Sequence, residues 1–260
     1  MAAGYDYATN VISSEGKVYQ LEYAAKAVES SGTTVGVQCK DGVILASEKL
    51  MMSKMLVDST CKVVHKVDDQ IGVAYSGIGP DGKSIVGLAQ NIAHKYKQNY
   101  GERIAPGVLA QQLGDILYAY TSYAAYRPFG AHALVCGYDE DHKESQLYLC
   151  ELDGTVTRYW GTAVGKGARS ARTEIQKLKL TEKTCAEALP LLAKILHTVH
   201  DPSKDKPFVL EAGWATDATK GTFSRVPKDV LAAADAEGKA ASEADGAAHG
   251  GAAAAAAGDA

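Results

Sequence analysis

The strongest constraint on this fold is the order in which the residue period changes along the chain. Strand-like runs come in pairs across tight turns. Residues 33–39 and 43–46 flank Lys40-Asp41-Gly42, and residues 61–67 and 71–76 flank Asp68-Asp69. Each pair reads as a hairpin. A helical period then takes over. Ile85, Leu88, Ala89, Ile92 and Tyr96 mark one apolar face, and Leu109, Leu113, Ile116, Leu117 and Tyr120 mark the next. Strands return at 133–136, 146–150 and 156–160, helices at 168–178 and 184–200, and final strands at 208–214 and 222–226. Ahead of all these, Leu21, Ala24, Ala25 and Val28 share a helical face that follows the turn signal Ser13-Ser14-Glu15-Gly16. Hairpins imply antiparallel sheets. Strand blocks alternating with helix pairs predict two sheets packed face to face, with helices outside. Regular βα alternation, the mark of a parallel doubly wound sheet, is absent.

Charge divides the chain in two. The 260 residues carry a net charge of −4, and all of it lies from Ala232 onward, where five acidic side chains meet one lysine, Lys239. The balanced body lacks the excess of Lys and Arg that binding nucleic acid requires. Leu231 is the last large apolar side chain. The predicted organisation is therefore one domain over residues 1–231 and a disordered, acidic Ala/Gly-rich tail over 232–260. Pro227 suits the first position of a short helix. No membrane span is expected, and the first eleven residues lack the basic start and apolar core of a signal peptide. Five widely spaced cysteines without a CxxC pair suit reduced, mostly buried thiols. The location this predicts is cytoplasmic and nuclear.

Several local patterns carry candidate chemistry. Gly77-Ile78-Gly79-Pro80-Asp81-Gly82-Lys83-Ser84 satisfies the phosphate-loop pattern, in which backbone amides cradle phosphates, Lys83 reaches them and Ser84 holds Mg²⁺. Its setting argues against that role, because the preceding strand leaves a hairpin, not a parallel βαβ unit. A Gly-rich turn entering a helix is the plainer reading. His197, His200 and Asp201 form a conceivable metal trio, although helix-end histidines commonly serve the helix dipole. Gly165-Lys166-Gly167 could hold an anion, and a helix-entry turn is the simpler alternative. Ser242, flanked by Glu243 and Asp245, is a candidate phosphosite.

Tyr5-Asp6 and the run Ser13-Ser14-Glu15-Gly16-Lys17-Val18-Tyr19-Gln20-Leu21-Glu22-Tyr23-Ala24 resemble the N-terminal signature of α-type subunits of the 20S proteasome. Gly32-Thr33-Thr34, Arg127-Pro128-Phe129-Gly130, Val199-His200-Asp201 and Val226-Pro227-Lys228-Asp229 extend the resemblance over most of the chain. The resemblance implies an α+β fold, the four-layer αββα sandwich of N-terminal-nucleophile hydrolases. It also implies a seven-membered α ring, a neighbouring β ring, and activator particles that dock through C-terminal tails. It implies no cofactor, metal, nucleic acid or membrane.

Catalytic members of that family attack with an N-terminal threonine whose free amine is the base. Here Thr33 and Thr34 lie near the matching strand start, and Glu48 and Lys62 near the family's acid and lysine. Some thirty residues precede Thr33, so its nitrogen is an amide. The implied role is non-catalytic: ring scaffold and gate. By family position Tyr5, Asp6, Ser14 and Tyr23 match the gate cluster, while Glu22, Gly32, Lys62 and Ile78 match the activator pocket. Ser14 stands where the family has proline, Tyr7 where it has arginine and Ile12 where it has an aromatic residue, all of which weaken the gate match. The alternatives are a P-loop nucleotide-binding protein and a self-processing amidohydrolase of the same fold.

Overall fold

A computed structural model describes residues 8–57 and 60–257. Ahead of the first helix a turn is closed by two hydrogen bonds, from the Ser13 amide to the Lys17 carbonyl and from the Lys17 amide to Ser13 Oγ, with Gly16 at φ +78°. Helix α1 (Tyr19–Glu29) follows. Next come the hairpin β1 (Thr34–Cys39) and β2 (Gly42–Leu50), then β3 (Val64–Lys66) and β4 (Ile71–Gly77). Helices α2 (Gly79–Tyr100) and α3 (Pro106–Ser122) precede β5 (Ala131–Asp139), β6 (Glu144–Cys150), β7 (Val156–Arg158) and β8 (Gly161–Val164). Helices α4 (Ala168–Leu178) and α5 (Cys185–Val199), strands β9 (Phe208–Thr216) and β10 (Phe223–Arg225), and helix α6 (Lys228–Ala257) complete the order.

The strands form two five-stranded antiparallel sheets, ordered β10-β9-β2-β1-β8 and β3-β4-β5-β6-β7. Three apolar clusters define four layers. Val43, Leu45, Leu134, Leu147 and Phe223 fill the space between the sheets. Val73, Val135, Leu109 and Leu113 join the second sheet to α2 and α3. Val35, Val37, Leu189 and Leu192 join the first sheet to α4 and α5. Two stacked sheets with helices outside were expected from the period changes, and the αββα sandwich that the resemblance implies is the observed fold.

The strand expected over 156–160 is shorter, and the one after it was not anticipated. β7 ends at Arg158 and pairs with β6, while β8 (Gly161–Val164) pairs with β1. The chain changes sheets at Tyr159-Trp160. The Tyr159 amide donates to the Leu147 carbonyl in one sheet, and the Trp160 carbonyl accepts from Gln38 in the other. Alternation alone cannot register such a step, because both halves stay extended.

The expectation of disorder from Ala232 is corrected. The predicted short helix at Pro227 continues as α6 and lies along α5. Ala234 is buried, and a β-carbon at Gly238 would stand 2.6 Å from Ala193 Cβ, so the two helices touch backbone to backbone. Asp235 bonds His197 Nε2 at 2.8 Å, and Asp245 pairs with Lys194 at 2.6 Å. Counting large apolar side chains misses this kind of packing, because small residues contribute close approach instead. Residues 258–260 lie outside the described residues.

Helix α5 starts with a capping box: Thr184 Oγ1 accepts from the Glu187 amide at 3.3 Å, and Glu187 Oε2 accepts from the Thr184 amide at 2.9 Å. Thr184→Ala is expected to cost about 1 kcal/mol. A denaturant midpoint equal to wild type would show that the cap contributes nothing.

Candidate functional site

Helix α1 packs across the ends of β4 and β5, with Val28 buried beneath it. Ser31 Oγ lies 2.7 Å from Ser76 Oγ, and Ser76 Oγ donates to the Gly32 carbonyl at 2.9 Å. These bonds carry the chain from α1 into Thr33 and β1. Thr33 and Thr34 are both buried. The Thr33 amide donates to Glu48 Oε2 at 3.0 Å, and Thr33 Oγ1 accepts from the Gly167 amide at 3.1 Å. Thr34 Oγ1 reaches Ser47 Oγ at 2.8 Å. Glu48 Oε1 is 2.5 Å from His200 Nδ1, and both side chains are nearly enclosed.

The arrangement is chemically closed. An amide nitrogen has no basic lone pair, and this one already donates its proton to Glu48. The Thr33 hydroxyl is buried and accepts from the Gly167 amide at the start of α4. Nothing here can deprotonate and expose a nucleophile as the N-terminal amine of a catalytic threonine does. Glu48 stands beside Thr33 as expected, but its other side-chain partner is His200. Lys62 lies elsewhere, before β3 and exposed, with its carbonyl bonded by Tyr75 Oη at 3.1 Å and His65 Nε2 at 2.9 Å. His200 and Gly167 are the members of this cluster that spacing did not assign to it. They come from distant segments, and only the long pairing of β2 with β9 brings the end of α5 to Glu48.

The phosphate-loop alternative is not supported, and the plainer reading, a turn entering a helix, is what the structure shows. Helix α2 begins at Gly79, so most of the motif is already helical. The Gly82 amide donates to the Ile78 carbonyl at 3.0 Å. Asp81 fills the first turn, where it binds Arg127 at 2.6 and 2.7 Å and the Gly130 amide at 2.8 Å. A phosphate there would meet a buried carboxylate. The Arg127 guanidinium, with the Gly130 amide, holds the Asp81 carboxyl below the usual range. In the segment 165–167, the Gly167 amide serves Thr33 and the Lys166 ammonium pairs with Asp205, which makes it a helix-entry turn. The metal trio disperses: His197 turns to Asp235, His200 to Glu48, and Asp201 to Ser203 and Lys204. No disulfide forms. Four of the cysteines are buried and Cys61 is exposed. Burial pushes the Cys150 thiol up to about 12.

Of the gate residues, Tyr5 and Asp6 lie outside the described residues, as does Tyr7. Ser14 is exposed in the turn that precedes α1. Tyr23 is exposed on α1, stacked on Tyr19 at 6.3 Å and beneath the Lys26 ammonium at 5.8 Å. Among the activator-pocket residues, Gly32 and Ile78 are tied to the same segment, Gly32 by Ser76 and Ile78 by its place two residues further on. Glu22 pairs with Lys17 at 3.6 Å. The Lys62 side chain lines a separate cavity beside β9 and α6. Ser242 lies on α6, 3.1 Å from Thr198 Oγ1.

Sequence comparison agrees with this geometry. The family described as proteasome subunit matches residues 28–215. The chain is 43% identical over 243 residues to the proteasome subunit alpha type-3 of Spinacia oleracea, covering 94% of this chain and 97% of the relative. It is 44% identical to the alpha type-3 subunit of Acanthamoeba castellanii, with 94% and 96% covered. It is 37% identical to the probable proteasome subunit alpha type-7 of Saccharomyces cerevisiae, with 89% and 81% covered. A sandwich whose matching threonine is sealed inside the chain, together with these relatives, places the chain in the proteasome subunit family, among its α-type members.

Proposed function

We propose that this chain is a non-catalytic structural and gating subunit of the 20S core particle, occupying the seventh α position, that of alpha type-3. The observation that carries this reading is the buried Thr33 amide bonded to Glu48, with helix α1 still attached ahead of it. In this role the chain sits in a seven-membered ring of α subunits against a β ring, in the cytoplasm and nucleus, and supports ubiquitin-dependent degradation by controlling substrate access. Native mass and intact mass test it together. Assembly into a many-subunit particle with an uncut chain is expected. A chain beginning at Thr33 or Thr34 overturns it.

Tyr5, Asp6, Ser14 and Tyr23 serve as gate residues in this proposal, and Glu22, Gly32, Lys62 and Ile78 as the receptor for activator tails. A lysine can pair with a tail carboxylate through a charge-assisted hydrogen bond. In the assembled particle, Lys62→Glu is then expected to weaken docking of a tail by about tenfold or more. Unchanged activator-stimulated peptide hydrolysis would remove Lys62 from the pocket. Ser242 is proposed as a phosphosite, to be tested by phosphopeptide mapping. Two carboxylates of the acidic segment, Asp245 and Asp235, are engaged within the chain by Lys194 and His197.

A further inference from the structure

A depression of about 740 Å³ opens where β10 stops and α6 begins. That volume falls within the range of about 300–1,000 Å³ typical of ligand sites. β10 is only three residues long and pairs with β9 only from Gly213 to Ala215. One more bond, from the Val226 amide to the Ala212 carbonyl at 3.1 Å, ends the pairing. The Ala212 carbonyl therefore faces the β10 side. Alternation along the strand points the amide and carbonyl of Leu210 the same way. Leu210, 4% exposed, also lines the cavity, so the unpaired edge of β9 meets the cavity floor at this one residue.

The walls add a charge pattern. Val209, Val226, Pro227 and Leu231 give apolar surface, and Lys62 and Lys228, both exposed, line the cavity too. The two lining carboxylates are engaged. Glu211 Oε1 is 3.0 Å from the Arg225 guanidinium, an ion pair without hydrogen-bond alignment, and Asp235 accepts from His197. Among the described residues, no carboxylate lies within ion-pair distance of the Lys62 or Lys228 ammonium.

We propose that this cavity binds an extended acidic peptide segment, which adds to the open edge of β9 at Leu210 and sets its carboxylates on Lys62 and Lys228. Main-chain bonds to a strand edge supply affinity, and alternating side chains supply selectivity. Apolar side chains of the segment meet Val209 and Leu231, and acidic ones meet the two lysines. The site shares Lys62 with the activator pocket proposed above, but it does not depend on that pocket. Lys228 belongs to this cavity alone.

The test uses the full chain and a fluorescein-labelled peptide of alternating valine and glutamate, with a valine–lysine peptide as control. Fluorescence anisotropy should show saturable binding of the acidic peptide alone. Lys228→Glu, an exposed substitution at a helix start, should weaken it about tenfold or more. Hydrogen exchange should slow at the Leu210 amide when the peptide is bound. Equal binding of the lysine peptide, an unchanged affinity in Lys228→Glu, or unaltered exchange at Leu210 would each overturn the proposal. A Lys228→Glu particle that loses the acidic peptide yet keeps activator stimulation would separate this site from the activator pocket.

Discussion

Phe223→Ala is expected to destabilise the chain by about 3–5 kcal/mol, the range for emptying a fully buried aromatic site. Phe223 is 1% exposed. It belongs to β10 at the edge of the first sheet, and its ring crosses the gap to the second. A β-carbon at Gly72 of β4 would stand 2.1 Å from the ring, and one at Gly213 of β9 would stand 2.6 Å from it. The ring lies flush against two strand backbones from opposite sheets. Relaxation cannot refill that space, because strands held in register on both sides cannot move inward singly. The converse substitution tests the same contact. Gly72→Val drives a branched side chain into the ring and should also destabilise, by about 1–3 kcal/mol or more. Chemical denaturation of both variants measures these effects. A Phe223→Ala midpoint within error of wild type would show that the two sheets do not depend on this ring.

Asp81→Ala comes second, at about 2–3 kcal/mol. Removing one partner of a buried pair costs about 3–5 kcal/mol, discounted here because the Arg127 side chain is 67% exposed and so partly screened by water. The carboxylate fixes the turn from Arg127 to Gly130, which leads into β5 and supplies the Gly130 carbonyl that receives the Ile78 amide at 2.9 Å. Loss of Asp81 thus loosens the start of α2 and the start of β5 together. The effect depends on pH. Arg127 and the Gly130 amide lower the folded pKa of Asp81 below its unfolded value. The stabilisation is therefore complete above the unfolded pKa, about 4, and is lost as pH falls through the folded value. Comparing wild type with Asp81→Asn from pH 7 downward, the stability gap should hold steady to about pH 5 and close below pH 4. A gap that widens in acid would contradict the assignment.

Much of the fold was legible because it is local. Tight turns at 40–42 and 68–69 and helical stripes such as Leu109, Leu113 and Leu117 announce themselves within a few residues. What stayed hidden depends on partners far along the chain. Strand β8 at 161–164 escaped notice because it follows β7 after two residues and joins the other sheet. Helix α6 looked structureless because its value lies in letting α5 come close, which no property of alanine or Gly238 alone discloses. At the site, Glu48 was set beside Thr33 by the family resemblance, and the pairing of β1 with β2 brings the two together. His200 and Gly167 arrive by folding across more than a hundred residues. The phosphate-loop pattern failed for a related reason: the motif describes residue types, whereas phosphate binding needs a backbone curled as a loop, and here Asp81 and Arg127 lock a helix instead.

The strand order has a consequence during synthesis. β1 and β2 form a hairpin early, yet β2 waits for β9 and β1 waits for β8. At translation speeds of about 5–20 residues per second, the β1 edge stays open for on the order of ten seconds and the β2 edge for up to about thirty. Both edges are apolar and hydrogen-bond ready throughout. The nascent chain therefore spends most of its time on the ribosome with its central strands unprotected, and its yield in a cell is set by what shields that hairpin as much as by the stability of the finished sandwich.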